Sequence, residues 1–222
     1  MDRKYADDTL LSKIERISSS IFCDMSHSED SFDQAYWNSR YQEQATGWDL
    51  GEVSPPIKAY IDQIKDKSLR ILIPGCGNTY EAEHLLSKGF TNITVIDIAP
   101  ILIETIQKKF KGNTNIKIIE GDFFLHQAQY DLILEQTFFC TIEPSMRKLY
   151  VQKMHELLAP QGKLVGLLFD VEFEKQGPPF GGSAKEYQLL FEPFFESKHF
   201  ETAINSFFKR AGTELFINLI KK

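Results

Sequence analysis

From residue 69 onward the chain alternates short, continuously apolar runs with stretches of helical periodicity, a pattern that few folds tolerate. The runs are RILIP (70–74), ITVIDI (93–98), IKIIE (116–120), YDLILE (130–135) and GKLVGLLFD (162–170). They lack the apolar–polar alternation of a strand with one wet face, so helices must cover both faces of the sheet they form. Helical spacing fills 79–88, 100–110 and 144–158; Pro144 suits a first turn, and Pro160-Gln161-Gly162 closes the last stretch. Strand–helix alternation of this kind dictates an α/β fold with a doubly wound, mostly parallel sheet. After a helix near 184–195, FETAINSFFKR (200–210) and ELFINLIKK (214–222) follow with only a short link through Gly212. Two runs so joined predict an antiparallel pair, giving a seven-stranded sheet with a C-terminal antiparallel strand.

Upstream, Leu10, Leu11, Ile14, Ile17 and Ile21 recur at roughly helical spacing, and CDMSHSEDS (23–31) reads as a polar linker. Residues 1–30 are therefore expected to be a helical extension or arm, and residues 31–222 a single domain. The stretch FDQAYWNSRYQEQATGWDLGEVSPP predicts a short helix and then a loop ending at Pro55-Pro56, with helical spacing resuming over 57–64. A chain of 222 residues suffices for one substantial core. Its formal net charge of -6 argues against a nucleic-acid partner, and no apolar run reaches membrane-spanning length. The acidic N-terminus does not read as a signal peptide, and Cys23, Cys76 and Cys140 form no CxxC. A reducing, cytoplasmic setting and a monomer are the default expectations. Scattered histidines without a HExxH or Cys/His cluster predict no metal site.

Three strand ends carry candidate ligand contacts. Gly75 and Gly77 lie where the first strand meets its helix, and residues without Cβ let a ligand approach the backbone beside free helix N–H groups. The same glycines also fit a turn that needs them for geometry alone. The G-x-G-x-x-G fingerprint is absent, and Glu81 and Glu83 stand where a pyrophosphate wants small residues; they tolerate a ligand bearing an ammonium and a sulfonium. Asp97, about 20 residues on, ends the second strand, where a carboxylate accepts from both ribose hydroxyls; it equally suits capping the helix that starts at Pro100. In EGDFF (120–124), Asp122 is placed to accept from an adenine amino group and Phe123 to cover the ring. Together the three describe a cleft for an adenosine-bearing ligand at the sheet's switch point.

This pattern resembles that of the class I S-adenosylmethionine-dependent methyltransferases, which are Rossmann-like. The strings YWNSRYQEQATGWDLGEVSPP, IPGCGNTYEAEHL, DLILEQTFFCTIEPSMRKLY, QGPPF…KEYQLLFEP and KRAGTELF are similar to the thiopurine and thiol/halide methyltransferase family. The resemblance runs from about residue 32 to 195, with KRAGTELF echoing a C-terminal motif. It implies that Trp37, Tyr41 and Trp48, as part of a helical lid, wall the cofactor from the N-terminal side. It also implies that Gly75 meets the methionine end of S-adenosyl-L-methionine, Asp97 the ribose, and Asp122 with Phe123 the adenine, while Gln136 touches the cofactor. Position 41 is often tryptophan in the family and position 136 tyrosine in its plant members, so both departures bear on acceptor choice.

Methyl transfer from a sulfonium needs alignment and exclusion of water, and aromatic faces suit a sulfonium. Phe138, Phe139, Phe169, Pro178, Pro179, Phe180 and Arg210 are the expected acceptor pocket, with GPPFGG a loop over the cleft. No histidine or carboxylate is marked by its context as an acid or base, so no catalytic acid/base is assigned, which points to a small soft acceptor: a thiol, thiopurine or halide. Cys140 reads as an inert buried thiol, while Arg147 and Arg210 are cations able to pair or to steer anions. S-adenosyl-L-homocysteine would be the product. The alternatives are a nicotinamide-dependent (NAD(P)) Rossmann oxidoreductase and a non-catalytic S-adenosylmethionine-binding protein.

Overall fold

A computed structural model describes residues 32–222. The extension expected over residues 1–30, and Cys23 with it, lie outside the described residues. The strands are β1 (Ile71–Pro74), β2 (Ile93–Asp97), β3 (Ile116–Glu120), β4 (Tyr130–Gln136), β5 (Leu158–Phe169), β6 (Phe195–Thr202) and β7 (Glu214–Lys221). The α-helices are α1 (Gln34–Gln42), α2 (Pro55–Gln63), α3 (Tyr80–Ser87), α4 (Pro100–Lys109), α5 (Arg147–Leu157) and α6 (Ala184–Phe191). The sheet order is β3-β2-β1-β4-β5-β7-β6. β7 pairs antiparallel with both β5 and β6, so it alone runs against the other strands. Neighbouring β1 and β4 flank the switch point, where an open α/β sheet leaves a crevice at its carboxyl edge.

Burial explains why the central strands β1, β4 and β5 are so apolar. Leu72, Ile133, Leu164 and Leu168 join one core with Tyr150, Met154, Tyr187 and Phe191 from α5 and α6. Their neighbours Ile71, Ile73, Leu132, Leu134, Val165 and Leu167 enter the other, with Ile57 and Ile61 of α2, Leu85 of α3 and Leu102 of α4. Each strand thus feeds both cores at a period of two. Pro55 and Pro56 open α2, using the first-turn position where a missing N–H costs nothing.

Four expectations need correction. The last helix stops at Phe191 and the strand expected over 200–210 lies earlier, at Phe195–Thr202. Residues 203–213 are its link to β7, with a 3-10 turn at Phe208–Arg210, so the connection is longer than the sequence suggests. The exposed edge face of β6 carries Glu196, Lys198, His199 and Glu201, a charged edge that blocks strand pairing and conceals the strand's periodicity. β5 also begins four residues early, because Leu158 already pairs with Tyr130 across an irregular register. Among the described residues no helix is long and apolar enough to cross a membrane.

Candidate active site

The turn after β1 is built by backbone conformation. Gly75 sits at φ +52°, and a Cβ there would overlap the Phe138 ring, so the ring takes the space that a side chain would need. Gly77, at φ +50°, has only the Tyr41 hydroxyl near the place a Cβ would take, at 3.6 Å. Its N–H donates to Asp97 Oδ2 (3.2 Å), and the Ala99 N–H donates to Oδ1 (3.1 Å). Asp97 therefore ties the β1 turn to the end of β2 and also braces the entry to α4. A carboxylate has about four lone-pair positions, so further acceptor capacity remains. Asp97 is buried, and burial raises its pKa.

Beyond β3, exposed Asp122 accepts from the Phe124 N–H (2.8 Å) and caps the 3-10 turn Phe123–Leu125. The buried Phe123 ring meets Phe138 edge-on at 5.1 Å. From the N-terminal side, Trp37 and Tyr41 project from α1, and each packs edge-on against Trp48 at 5.7 and 5.9 Å. Burial first, then the Asp97 charge, pushes the Tyr41 hydroxyl far above the usual tyrosine range, so it stays protonated. Asp49 accepts from Asn78 Nδ2 and from the Tyr80 hydroxyl, while Arg210 Nη2 donates to the Trp48 carbonyl (2.6 Å). These bonds hold the Trp48 loop to α3's entry and to the start of β7.

The end of β4 holds the feature that sequence reasoning passed over. Glu135 is fully buried, its Oε1 accepting from the Phe138 and Phe139 N–H groups (2.8 Å each) and its Oε2 from the Tyr150 hydroxyl (2.5 Å). Burial pushes its carboxyl up to about 7. Thr137 turns at φ +57°, and the next residues form a 3-10 turn, Phe139–Thr141. The Gln136 Oε1 is buried without a partner among the described residues. Phe139 stands behind Phe138 in the core, against Tyr150, Tyr187 and Phe191. Cys140 is buried and its thiol is pushed up to about 12, chiefly by burial, so it is no ready nucleophile.

The loop after β5 is fastened to this turn. The Phe180 N–H donates to the Cys140 carbonyl (2.7 Å), and buried Arg147 donates to the Gly181 carbonyl (2.7 Å) and to Glu186 (3.0 Å). Its guanidinium lies 4.9 Å over the Phe139 ring. Pro178 and Pro179, joined by a cis peptide, precede Phe180 in the loop. Phe169 ends β5, with the Arg210 guanidinium 5.4 Å over its ring. The missed residues Glu135 and Asp49 left one signal each, a charge beside an apolar or aromatic run, while Arg147 takes the pairing role that the sequence offered for it.

Comparison with known proteins shows the family and the fold. The family model for thiopurine S-methyltransferase (TPMT) matches residues 32–215. A probable thiol methyltransferase 2 of Arabidopsis thaliana is 34% identical over 162 residues, 71% of this chain and 71% of that protein. A thiocyanate methyltransferase 1 of Brassica oleracea is 26% identical over 83% of this chain and 84% of its own length. A Vibrio parahaemolyticus thiopurine S-methyltransferase is 27% identical over 72% and 82%. Among solved structures, the Burkholderia thailandensis 1,6-didemethyltoxoflavin-N1-methyltransferase superimposes with a TM-score of 0.69 at 14% identity, covering 100% of this chain and 93% of that one. A TehB-like methyltransferase of Corynebacterium glutamicum gives 0.61 at 19% identity, covering 85% and 98%. Both likenesses speak to the fold, a Rossmann-like sheet with one reversed strand. With the family model matching residues 32–215 and a relative 34% identical over 71% of both chains, the chain belongs to the thiopurine S-methyltransferase family and is a methyltransferase.

Proposed function

We propose that this methyltransferase moves a methyl group from S-adenosyl-L-methionine to a small soft nucleophile, a thiol, thiopurine or halide, by in-line displacement, with S-adenosyl-L-homocysteine as product. The observation that carries the reading is the bonded cluster at the switch point. There Asp97 is held by the Gly77 N–H, Phe138 fills the space beside Gly75, and Gln136 keeps a buried, unpartnered oxygen. An adenosyl sulfonium ligand fits these groups. Asp97 retains acceptor capacity for ribose hydroxyls, Asp122 and Phe123 suit an adenine edge and face, and Gly75 is the position that the family resemblance gives to the methionine end. Trp37, Tyr41 and Trp48 would wall the ligand from the N-terminal side, and Gln136 Oε1 would find a partner in it.

The cofactor supplies a methyl group on an already cationic sulfur. The chain's own task is positioning and exclusion of water, which is worth about 7–11 kcal/mol in well-oriented reactions. Phe138, Phe169, Pro178, Pro179 and Phe180, with Phe139 behind them, would form the acceptor wall. The Glu135 bonds to the Phe138 and Phe139 N–H groups and the Arg147 bond to Gly181 fix the turn and the loop that carry it. Glu135 has a pKa suited to a base, yet three donors occupy it and no face of it reaches the surface. Among the described residues Glu135 is thus no free base, and a thiolate, a thiopurine sulfur or a halide needs none to remove a proton. The thiol and thiocyanate methyltransferase relatives act, by name, on sulfur compounds, which supports the same class. Family membership removes the support for a nicotinamide-dependent oxidoreductase and for a non-catalytic binder.

The test is turnover with S-adenosyl-L-methionine carrying a deuterated methyl group, over iodide, thiocyanate, a small thiol, a thiopurine, a catechol and an amine. Mass spectrometry of headspace and liquid should find label on the sulfur and halide acceptors. Label on only the catechol or the amine would refute the soft-acceptor reading.

A further inference from the structure

We propose that Arg210 is a latch that holds the Trp48 loop against the start of β7, acting as a positioning residue for the cofactor site instead of a steering charge for the acceptor. This rests on the reading that Trp48 walls that site. Arg210 lies just before β7, whose first residue, Glu214, is paired with Phe169 at the end of β5. The arginine is 8% exposed and its guanidinium is already committed: Nη1 is 3.3 Å from Glu214 Oε1, and Nη2 donates to the Trp48 carbonyl across 162 residues of chain.

An anion-steering arginine leaves its fork open towards solvent. Here Glu214, itself 2% exposed, neutralises it, and the Phe169 ring lies under the guanidinium plane. The loop is otherwise lightly held. Among the described residues a Cβ at Gly47 or Gly51 would meet nothing within 4 Å, and the loop's further polar ties run from Asp49 to Asn78 and Tyr80 and from Trp48 to Tyr41. A charged donor bonded to a carbonyl in a buried setting is a strong tie among these. Planar Arg can serve carboxylate and carbonyl at once; a lysine is a point charge and cannot.

The chain has two tryptophans, Trp37 and Trp48, both in the aromatic wall, so emission excited at 295 nm reports on it alone. The experiment compares wild type, R210K, R210Q and D49N by acrylamide quenching, S-adenosyl-L-homocysteine affinity, and kcat/KM for iodide and for an uncharged thiol. R210K keeps the charge beside Glu214 and guards against a variant that fails to fold. The expected result for R210K and R210Q is a roughly doubled quenching constant and about tenfold weaker cofactor-product binding, as for loss of one charged hydrogen bond. Both acceptors should lose the same factor in kcat/KM, and D49N should shift quenching in the same direction. Unchanged quenching in R210K and R210Q, or a loss confined to iodide with product affinity intact, would overturn the latch. If quenching rises while product affinity holds in R210Q and in W48A alike, the latch stands and the cofactor-wall reading is the part that fails.

Discussion

At Gly75 one missing Cβ does two things: it allows the φ +52° turn after β1, and it admits the Phe138 ring to the place where a side chain would be. G75A should therefore add overpacking of about 1–3 kcal/mol to backbone strain of about 1–3 kcal/mol. The denaturation midpoint should drop accordingly, and activity should fall more than tenfold because Phe138 must shift; a variant of wild-type stability and rate would contradict this. Asp97 was legible from its place at a strand's end, and the sequence also offered a helix-bracing role. The structure shows the bracing bonds to Gly77 and Ala99, and the proposed ribose role would add to them. D97N keeps one oxygen for Ala99 but turns an amide towards Gly77. Product affinity by calorimetry should fall about 10- to 100-fold, the equivalent of one lost charge-assisted bond. Arg147, Arg210 and Glu135 were harder to assign, because a charge announces itself in sequence but its buried partner, 4 to 162 residues away, does not.

Among elements, strands β1, β2 and β4 could be read within a residue or two, because burial on both faces leaves a largely apolar run. β6 could not, since one edge strand with charged side chains breaks that rule. The turn following β4 shows how an element's end becomes functional. Glu135 holds two successive N–H groups of that turn, and Tyr150 on α5 holds Glu135, so the turn is tied to the helix. Y150F removes the donor to Oε2 and leaves a buried carboxylate oxygen unpaired, costing about 1–3 kcal/mol of stability. E135Q retains an acceptor for both N–H groups, whereas E135A retains none. Steady-state kinetics should show E135A raising KM for the acceptor several-fold more than KM for S-adenosyl-L-methionine, with E135Q near wild type. Equal damage from E135Q and E135A would argue against this account of the turn.

For the described body as a whole, the buried acids Glu81 and Glu135, with Asp97, are raised by burial and contribute to the pH response. Burial pushes Glu81 and Glu135 up to about 7 from 4.5, so the native protein holds protons there that the unfolded chain has released. Their contribution is fully present below about pH 4.5 and is lost as pH rises through 7. The thermal midpoint of E81Q should accordingly fall less than that of wild type between pH 5 and 8, and parallel curves would contradict the assignment. The sheet order and its switch point follow from strand–helix alternation, and they place the carboxyl edges of β1 to β5 at one crevice. Chain connectivity alone did not reveal that Arg210 and Trp48 meet there. The claim on which the rest turns is that the protein aligns a soft nucleophile without supplying a base. Iodide carries no proton, so the ratio of kcat/KM for a thiol to that for iodide, followed against pH, isolates deprotonation of the acceptor. The ratio should rise about tenfold per pH unit up to the thiol's own pKa, with the inflection moving when a more acidic thiol is used; an inflection fixed near one pH for every thiol would reveal a base in the protein.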